Sequence, residues 1–274
     1  MCALILKSSS HLWRQRIVKP AAVCDFSSND YLSITQDKNL QKSYQQGFSK
    51  YPIGSTASML ISGYHAIHQE FEAQFCDAYN ADAAILFTSG YAANLAITAL
   101  LGKFSCIALF DKAIHASIYD GIKLSCVKYK RFTHQNYNML GKISSSIDKN
   151  TILLVESVYS MGGHFTPLDK VYNTVSALKG MIVDEAHAFG LYGREGLGGI
   201  EHFKLSCDAL PLRVIPLGKA LGAMGAMIVG KKDWIEALIQ TARSYIYSTG
   251  ISPAYVYGMQ TAFTMLRQAD EKRA

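Results

Sequence analysis

The chain predicts an α/β fold, a mainly parallel sheet flanked by helices, and three observations carry the prediction. Short, nearly continuous apolar runs recur from residue 83 onward, as in strands covered on both faces. Helical stretches separate them, the alternation that builds parallel sheets. Most of the runs are followed directly by polar, titratable or glycine-rich residues, and ligands in such folds sit beyond the carboxyl ends of the strands.

The elements follow in order. Residues 1–45 are polar and mixed and form an N-terminal segment, and residues 46–274 form one large domain. A strand is expected over Ala83 to Thr88, a helix over Ser89 to Leu101 and a strand over Cys106 to Phe110. A helix then spans Ile114 to Lys123, a strand Ser125 to Phe132 and a helix Tyr137 to Ile147. Next come a strand over Thr151 to Glu156, a helix over Leu168 to Leu178 and three strands over Met181 to Asp184, Arg213 to Leu217 and Ala226 to Gly230. The strand ends to inspect are therefore Ser89-Gly90-Tyr91, Asp111 to His115, Glu156 to Ser160, Asp184 to His187, and Gly218-Lys219.

Composition narrows the function class. The 274 residues are 49% hydrophobic and 18% charged, with formal net charge +6, an ordinary globular balance. Basic residues are scattered, and short groups such as Lys128-Tyr129-Lys130-Arg131 read as solvated faces, so neither nucleic acid nor a membrane is an expected partner. Six widely spaced cysteines without a Cys-x-x-Cys pair favour free thiols in a reducing cytoplasm over disulfides or zinc. The opening apolar run is too short for a secretory signal, and no stretch approaches the roughly 18 apolar residues of a membrane span. His65, His68 and Glu72 at helical spacing read as a solvated helix face rather than a metal site, and Met139, Met161, Met224 and Met227 as core filler.

Two strand ends carry the chemistry. Lys219 follows one apolar run and Asp184 another, so an amine and a carboxylate emerge from one sheet edge. That pairing suits pyridoxal phosphate: the lysine forms a Schiff base, and the carboxylate keeps the pyridine nitrogen protonated so that the ring accepts electrons. Asp184-Glu185-Ala186-His187 also resembles the magnesium-binding strand end of nucleotide-hydrolysing helicases. Those need Gly-x-x-x-x-Gly-Lys-Ser/Thr, and here the Gly-Lys pairs are followed by Phe104, Ile143, Ala220 and Lys232.

Taken with Asp25-Phe26-Ser27-Ser28-Asn29-Asp30-Tyr31-Leu32, Ile53-Gly54-Ser55, Ser62-Gly63-Tyr64-His65, Ser89 to Asn94 and Tyr247-Ser248-Thr249, these segments resemble the α-oxoamine synthases, fold-type I pyridoxal-phosphate enzymes, from about residue 24 to the end. The resemblance implies that an amino acid is joined to an acyl thioester, on coenzyme A or a carrier protein, with loss of carbon dioxide. The motifs lie nearest the members that use L-alanine and a pimeloyl thioester in biotin synthesis. Members acting as 2-amino-3-ketobutyrate ligase, 5-aminolevulinate synthase or serine palmitoyltransferase are the alternatives, with a non-catalytic partner subunit as a further one.

By the same resemblance Lys219 is the Schiff-base lysine, Asp184 pairs with the pyridine nitrogen and His187 bonds the ring's phenolic oxygen. His115 stacks on the ring, Ser160 assists at the phenolic side, and Gly90 and Tyr91 offer backbone N–H groups to the phosphate. Ser248 and Thr249 match a phosphate contact that a neighbouring subunit supplies, implying a homodimer with shared sites, and Asn29 lies near the substrate. Three departures stand out. Pro216 occupies a position where members commonly have a phosphate-binding threonine, and Met59 one where many have arginine. The sequence stops at Gln268 to Ala274 inside what reads as a long helix, so the family's small C-terminal domain is expected to be missing.

Overall fold

The computed structural model describes residues 16–18, 25–206 and 210–274. Helices α1 (Lys38–Lys50) and α2 (Ala66–Tyr79) precede β1 (Ala83–Phe87), α3 (Gly90–Lys103), β2 (Ile107–Asp111), α4 (Ala116–Leu124), β3 (Tyr129–Phe132), α5 (Tyr137–Ser146) and β4 (Thr151–Glu156). A two-stranded hairpin, β5 (Val158–Tyr159) with β6 (His164–Phe165), leads to α6 (Leu168–Thr174) and β7 (Gly180–Asp184). The short α7 (Gly199–His202) is followed by β8 (Leu212–Pro216), β9 (Ala226–Gly230), α8 (Lys232–Thr241), α9 (Arg243–Ile246), α10 (Pro253–Arg267) and α11 (Asp270–Arg273).

Seven strands form one sheet in the order β1-β9-β8-β7-β4-β2-β3. The strands from β8 through β3 pair in parallel, whereas β9 runs antiparallel to both β1 and β8. Side chains alternate across the sheet and so divide the core in two. Phe110, Ile152, Leu154 and Ile182 join a large cluster with α2, α3, α4, α8 and α10, while Leu109, Leu153, Val155, Met181 and Val183 join a smaller one with α5 and α6. Both faces are covered, which explains why the strands read as continuous apolar runs.

Sequence and structure differ at several ends. The strand expected from Ser125 begins only at Tyr129, because Cys126 adopts a left-handed φ of 50° after α4. The helix expected to reach Leu178 stops at Thr174, and the long final helix ends at Arg267, before a separate turn of helix. The division at residue 45 falls inside α1, which packs against α10: Ser43 Oγ lies 2.7 Å from Thr261 Oγ1. A Cβ on Gly47 would come within 2.2 Å of the Ala254 carbonyl oxygen, so this helix crossing needs glycine. No expectation from sequence covers α1 or α8, and α2 and α10 are foreshadowed only through the helical spacing of His65, His68 and Glu72 and through the long final helix.

Candidate active site

Strands β4 and β7 end side by side, with Glu156 paired in register to Asp184, and Asp184 in turn to Val214 of β8. The parallel topology thus puts two carboxylates at one sheet edge. Beyond that edge lies a cavity of about 400 Å³, lined among others by Asn29, Gly90, Tyr91, Asn94, His115, Glu156, Asp184, His187, Pro216, Lys219 and Met224. Its size falls within the range of small-molecule sites.

Asp184 is buried yet well supported. Its Oδ1 accepts from the Ala186 N–H at 3.0 Å and its Oδ2 from Asn94 Nδ2 at 3.0 Å. Asn94 sits one turn into α3 and sends its other amide proton to Ser117 Oγ, also at 3.0 Å. A carboxylate can only accept, so Asn94 must present its NH2 group. The Ser117 hydroxyl, already accepting, is then free to donate to His115 Nδ1 at 2.7 Å. Ser117 N–H points to the same nitrogen at 3.3 Å, so Nδ1 is an acceptor and the ring proton of neutral His115 lies on Nε2.

The backbone of His115 is fixed as well. Its N–H donates to Glu156 Oε1 at 2.7 Å. Burial first, and the neighbouring Asp184 charge second, push the Glu156 carboxyl up to about 8, with the His115 N–H and Lys219 opposing. Near neutral pH Glu156 therefore stays mostly protonated, and Asp184 shares the cavity with the half-buried Lys219. His187, one turn beyond Asp184, is pushed down to about 4 by burial and by Lys219, against the pull of Asp184. It enters the cavity as a neutral ring.

The opposite wall is the start of α3. Ser89 caps it by accepting from Ala92 N–H at 3.1 Å, and Tyr91 anchors its hydroxyl on Asp120, leaving the first-turn N–H groups at the cavity. A helix N-terminus of this kind favours an anion. Pro216 adds neither a hydroxyl nor an N–H there, and its ring would touch a Cβ on Gly90 at 3.0 Å, so the two residues are matched in size.

Residues 21–274 match the family Aminotransferase class I and II. The chain belongs to that family. Among relatives, it is 31% identical to 8-amino-7-oxononanoate synthase of Methylococcus capsulatus and 35% identical to that of Pseudomonas fluorescens. These alignments span 99% and 98% of this chain and 73% and 72% of those proteins. Two solved structures share the fold: 8-amino-7-oxononanoate synthase of Francisella tularensis (TM-score 0.82, 36% identity, 93% of this chain and 72% of that one) and a serine palmitoyltransferase of S. paucimobilis bound to a PLP-myriocin adduct (TM-score 0.85, 29% identity, 90% and 64%). These are pyridoxal-phosphate-dependent enzymes, and pyridoxal phosphate is the cofactor of the group to which this family member belongs.

The residues present fit that group. A lysine amine, a buried carboxylate, a neutral imidazole and a helix start surround one cavity, and the buried Asn94 Oδ1 has no hydrogen-bond partner. Among the described residues no cluster of three His, Cys, Asp or Glu is arranged to hold a metal ion.

Of the ten residues expected from sequence, seven line the cavity: Lys219, Asp184, His187, His115, Gly90, Tyr91 and Asn29. Three lie elsewhere. Ser160 is exposed on the turn joining β5 to β6, and Ser248 and Thr249 follow α9, where Thr249 bridges to Ser58. The sequence reading assigned no role to Glu156, Asn94 or Tyr31. Glu156 ends β4, Asn94 closes the Ser89 to Asn94 segment and Tyr31 lies within Asp25 to Leu32, so position along the chain is the signal that marks them.

Other expectations are corrected here. His68 and Glu72 are not on a solvated face: His68 is fully buried, accepting at Nδ1 from His65 N–H at 3.0 Å and meeting the Ile251 carbonyl at 2.7 Å. Glu72 accepts from Leu86 N–H and the Tyr64 hydroxyl, and burial pushes it up to about 7. On this face His68 and Glu72 both find internal partners, which lets the helix turn them inward. Met161 is 98% exposed and Met224 sits at the cavity, so neither fills the core, whereas Met227 does. Met59 is buried, as an arginine there would not be without a partner. Cys76, Cys106 and Cys126 are free thiols, while Cys2, Cys24 and Cys207 lie outside the described residues. Among the described residues no helix is long and apolar enough to cross a membrane.

Proposed function

We propose that the chain acts as an 8-amino-7-oxononanoate synthase, joining L-alanine to a pimeloyl thioester with loss of carbon dioxide. The observation that carries the reading is the convergence of Lys219, Asp184, His187 and His115 on one cavity, in a chain 31–36% identical to enzymes of that name. The serine palmitoyltransferase reading rests on a comparable fold at lower identity.

When bound, pyridoxal phosphate supplies an electron sink that acidifies the α-carbon of an attached amino acid. Lys219 would hold the cofactor through its amine and, once freed, would serve as the general base for the α-proton. Asp184, fixed by Asn94 and Ala186, holds the ring-nitrogen proton by charge. His115, its backbone pinned by Glu156, would pack against the ring, and His187 would hydrogen-bond its phenolic oxygen. Gly90 and Tyr91 would receive the phosphate at the helix start, and Asn29 would contact the substrate.

A homodimer completes the phosphate site in this reading. Ser248 and Thr249 stand apart from their own cavity, tied to the 51–64 segment by the Ser58–Thr249 bridge and by Gly250 N–H to the Ala57 carbonyl at 3.0 Å. The same segments expose Ile53, Ile61 and Tyr247, apolar surface for a second copy. The test is reconstitution with pyridoxal phosphate followed by assay of L-alanine with a pimeloyl thioester against L-serine with a palmitoyl thioester. Turnover of the first pair is expected, and preference for the second would replace this reading.

A further inference from the structure

Tyr31 was assigned no role by its sequence, yet it touches two residues of the site. Its hydroxyl lies 2.7 Å from His187 Nδ1 and 3.0 Å from Asn29 Oδ1. The segment that carries it is held firmly: Asp30 accepts from Ile34 N–H at 3.0 Å and from the Thr35 hydroxyl and N–H. Lys272 Nζ donates to the Leu32 carbonyl at 3.1 Å. The hydroxyl is thus presented at a fixed point, not on a free arm.

A phenol has one proton and can donate to only one of its two neighbours. The Asn29 carbonyl oxygen faces it and takes that proton. His187 Nδ1 must then be the donor of the other bond, and the nitrogen left for a ligand is Nε2, with its lone pair. We propose that Tyr31 is a positioning residue that holds neutral His187 in the Nδ1–H tautomer and thereby links the ring-contacting imidazole to Asn29. The inference rests on the proposed cofactor role of His187.

Two further facts agree with it. His187 is neutral across the physiological range because burial and Lys219 disfavour its charged form. Burial also raises the Tyr31 phenol, which therefore keeps its proton. Which ring nitrogen of a neutral imidazole carries the proton is set by the hydrogen bonds it makes, so the Tyr31 contact decides the tautomer.

The test uses ligand-free protein with ¹⁵N-labelled histidine, read by long-range proton–nitrogen correlation at pH 7.5. The His187 signals are assigned by their loss in His187→Asn. The expected result is a protonated Nδ1 and an unprotonated Nε2 in the wild type, and the reverse or a mixture in Tyr31→Phe. Asn29→Ala is the second variant: with no acceptor for its proton, Tyr31 turns to His187 Nδ1 and the tautomer reverses while the hydroxyl remains. Thermal melts confirm that each variant is folded. A wild type with the proton on Nε2, or variants indistinguishable from it, overturns the inference. Tyr31→Phe is also expected to lower pyridoxal phosphate affinity roughly three- to tenfold, the loss of about one hydrogen bond. Failure of the wild type to bind pyridoxal phosphate sinks the functional reading, while the tautomer measurement still decides the role of Tyr31.

Discussion

The residues at the strand ends and the residues on the outer loops met different fates. Asp184, His187, His115, Gly90, Tyr91 and Lys219 line one cavity, whereas Ser160, Ser248 and Thr249 lie outside it. The first set hangs from a sheet whose register places Glu156 beside Asp184 and Asp184 beside β8. The loops have no such ruler. Convergence at a parallel sheet edge is built into the topology; convergence of loop residues needs a tether, which the Asp30 hydrogen bonds give Asn29 and Tyr31 and which, in the proposed reading, a second subunit gives Ser248 and Thr249.

The sharpest break of the strand-end set is chemical. In the proposed reading Lys219→Ala removes the amine that holds the cofactor, so the visible absorption band of the loaded protein is expected to vanish, together with turnover. Borohydride reduction of the wild type followed by peptide mapping should place the label on Lys219, and label on another lysine would refute the assignment. Asp184→Asn keeps size and loses charge; turnover is expected to fall on the order of 10²–10³-fold, as for loss of a preorganised electrostatic partner. An unchanged rate of α-proton exchange would show that Asp184 has another task.

The Glu156–Asp184 pair gives a prediction in pH. Burial and Asp184 raise the folded Glu156 carboxyl from 4.5 to about 8. Between those values the folded chain binds more protons than the unfolded one, so stability falls as pH rises through that window and levels off above it. Glu156→Gln keeps an acceptor for the His115 N–H and cannot ionise. It should gain on the order of 1–3 kcal/mol relative to wild type between pH 5 and 9, read from denaturant midpoints across that range. Parallel pH profiles for the two proteins would show that Glu156 ionises as freely folded as unfolded.

A smaller effect is expected at Asn94. Replacing it with Ala removes the donor to Asp184 and to Ser117 together. The buried carboxylate then loses one of its two partners, at a cost of about 1–3 kcal/mol. Cofactor affinity should drop with stability, because the same bond orients the carboxylate toward the cavity. A melt and a pyridoxal phosphate titration check both, and a loss of stability with unchanged affinity would limit Asn94 to a structural part.

How much was legible follows from the same contrast. Strands β1, β2, β4, β7, β8 and β9 were readable because both faces are buried, so each is a bounded apolar run. Their polar endings gave the site. Helix α1 and the burial of α2 were not legible because their inward faces carry polar groups: Ser43 against Thr261, and His68 and Glu72 with internal partners. Side-chain identity alone does not tell a satisfied buried histidine from a solvated one. Glu156 and Tyr31 were missed for a related reason, since their parts depend on the His115 and His187 groups they meet across the fold, 41 and 156 residues away in sequence.

The loop set supplies the last and smallest effect, and it decides what the comparison means. If Ser248 and Thr249 reach a neighbour's phosphate, replacing both with Ala removes two hydroxyl donors at a site that keeps the α3 helix start, so cofactor affinity should fall only about tenfold. Each subunit would then lend its loop to the other's cavity. A Lys219→Ala chain mixed with a Ser248→Ala/Thr249→Ala chain should form hybrids in which one cavity has both defects and the other has none. That intact cavity should bind pyridoxal phosphate with wild-type affinity, although neither parent does. The measurement is a cofactor titration of the purified hybrid, with the two chains tagged differently. A hybrid that binds no more tightly than the loop variant alone would mean that the loops serve their own subunit or none, and the sheet edge alone would then define the site.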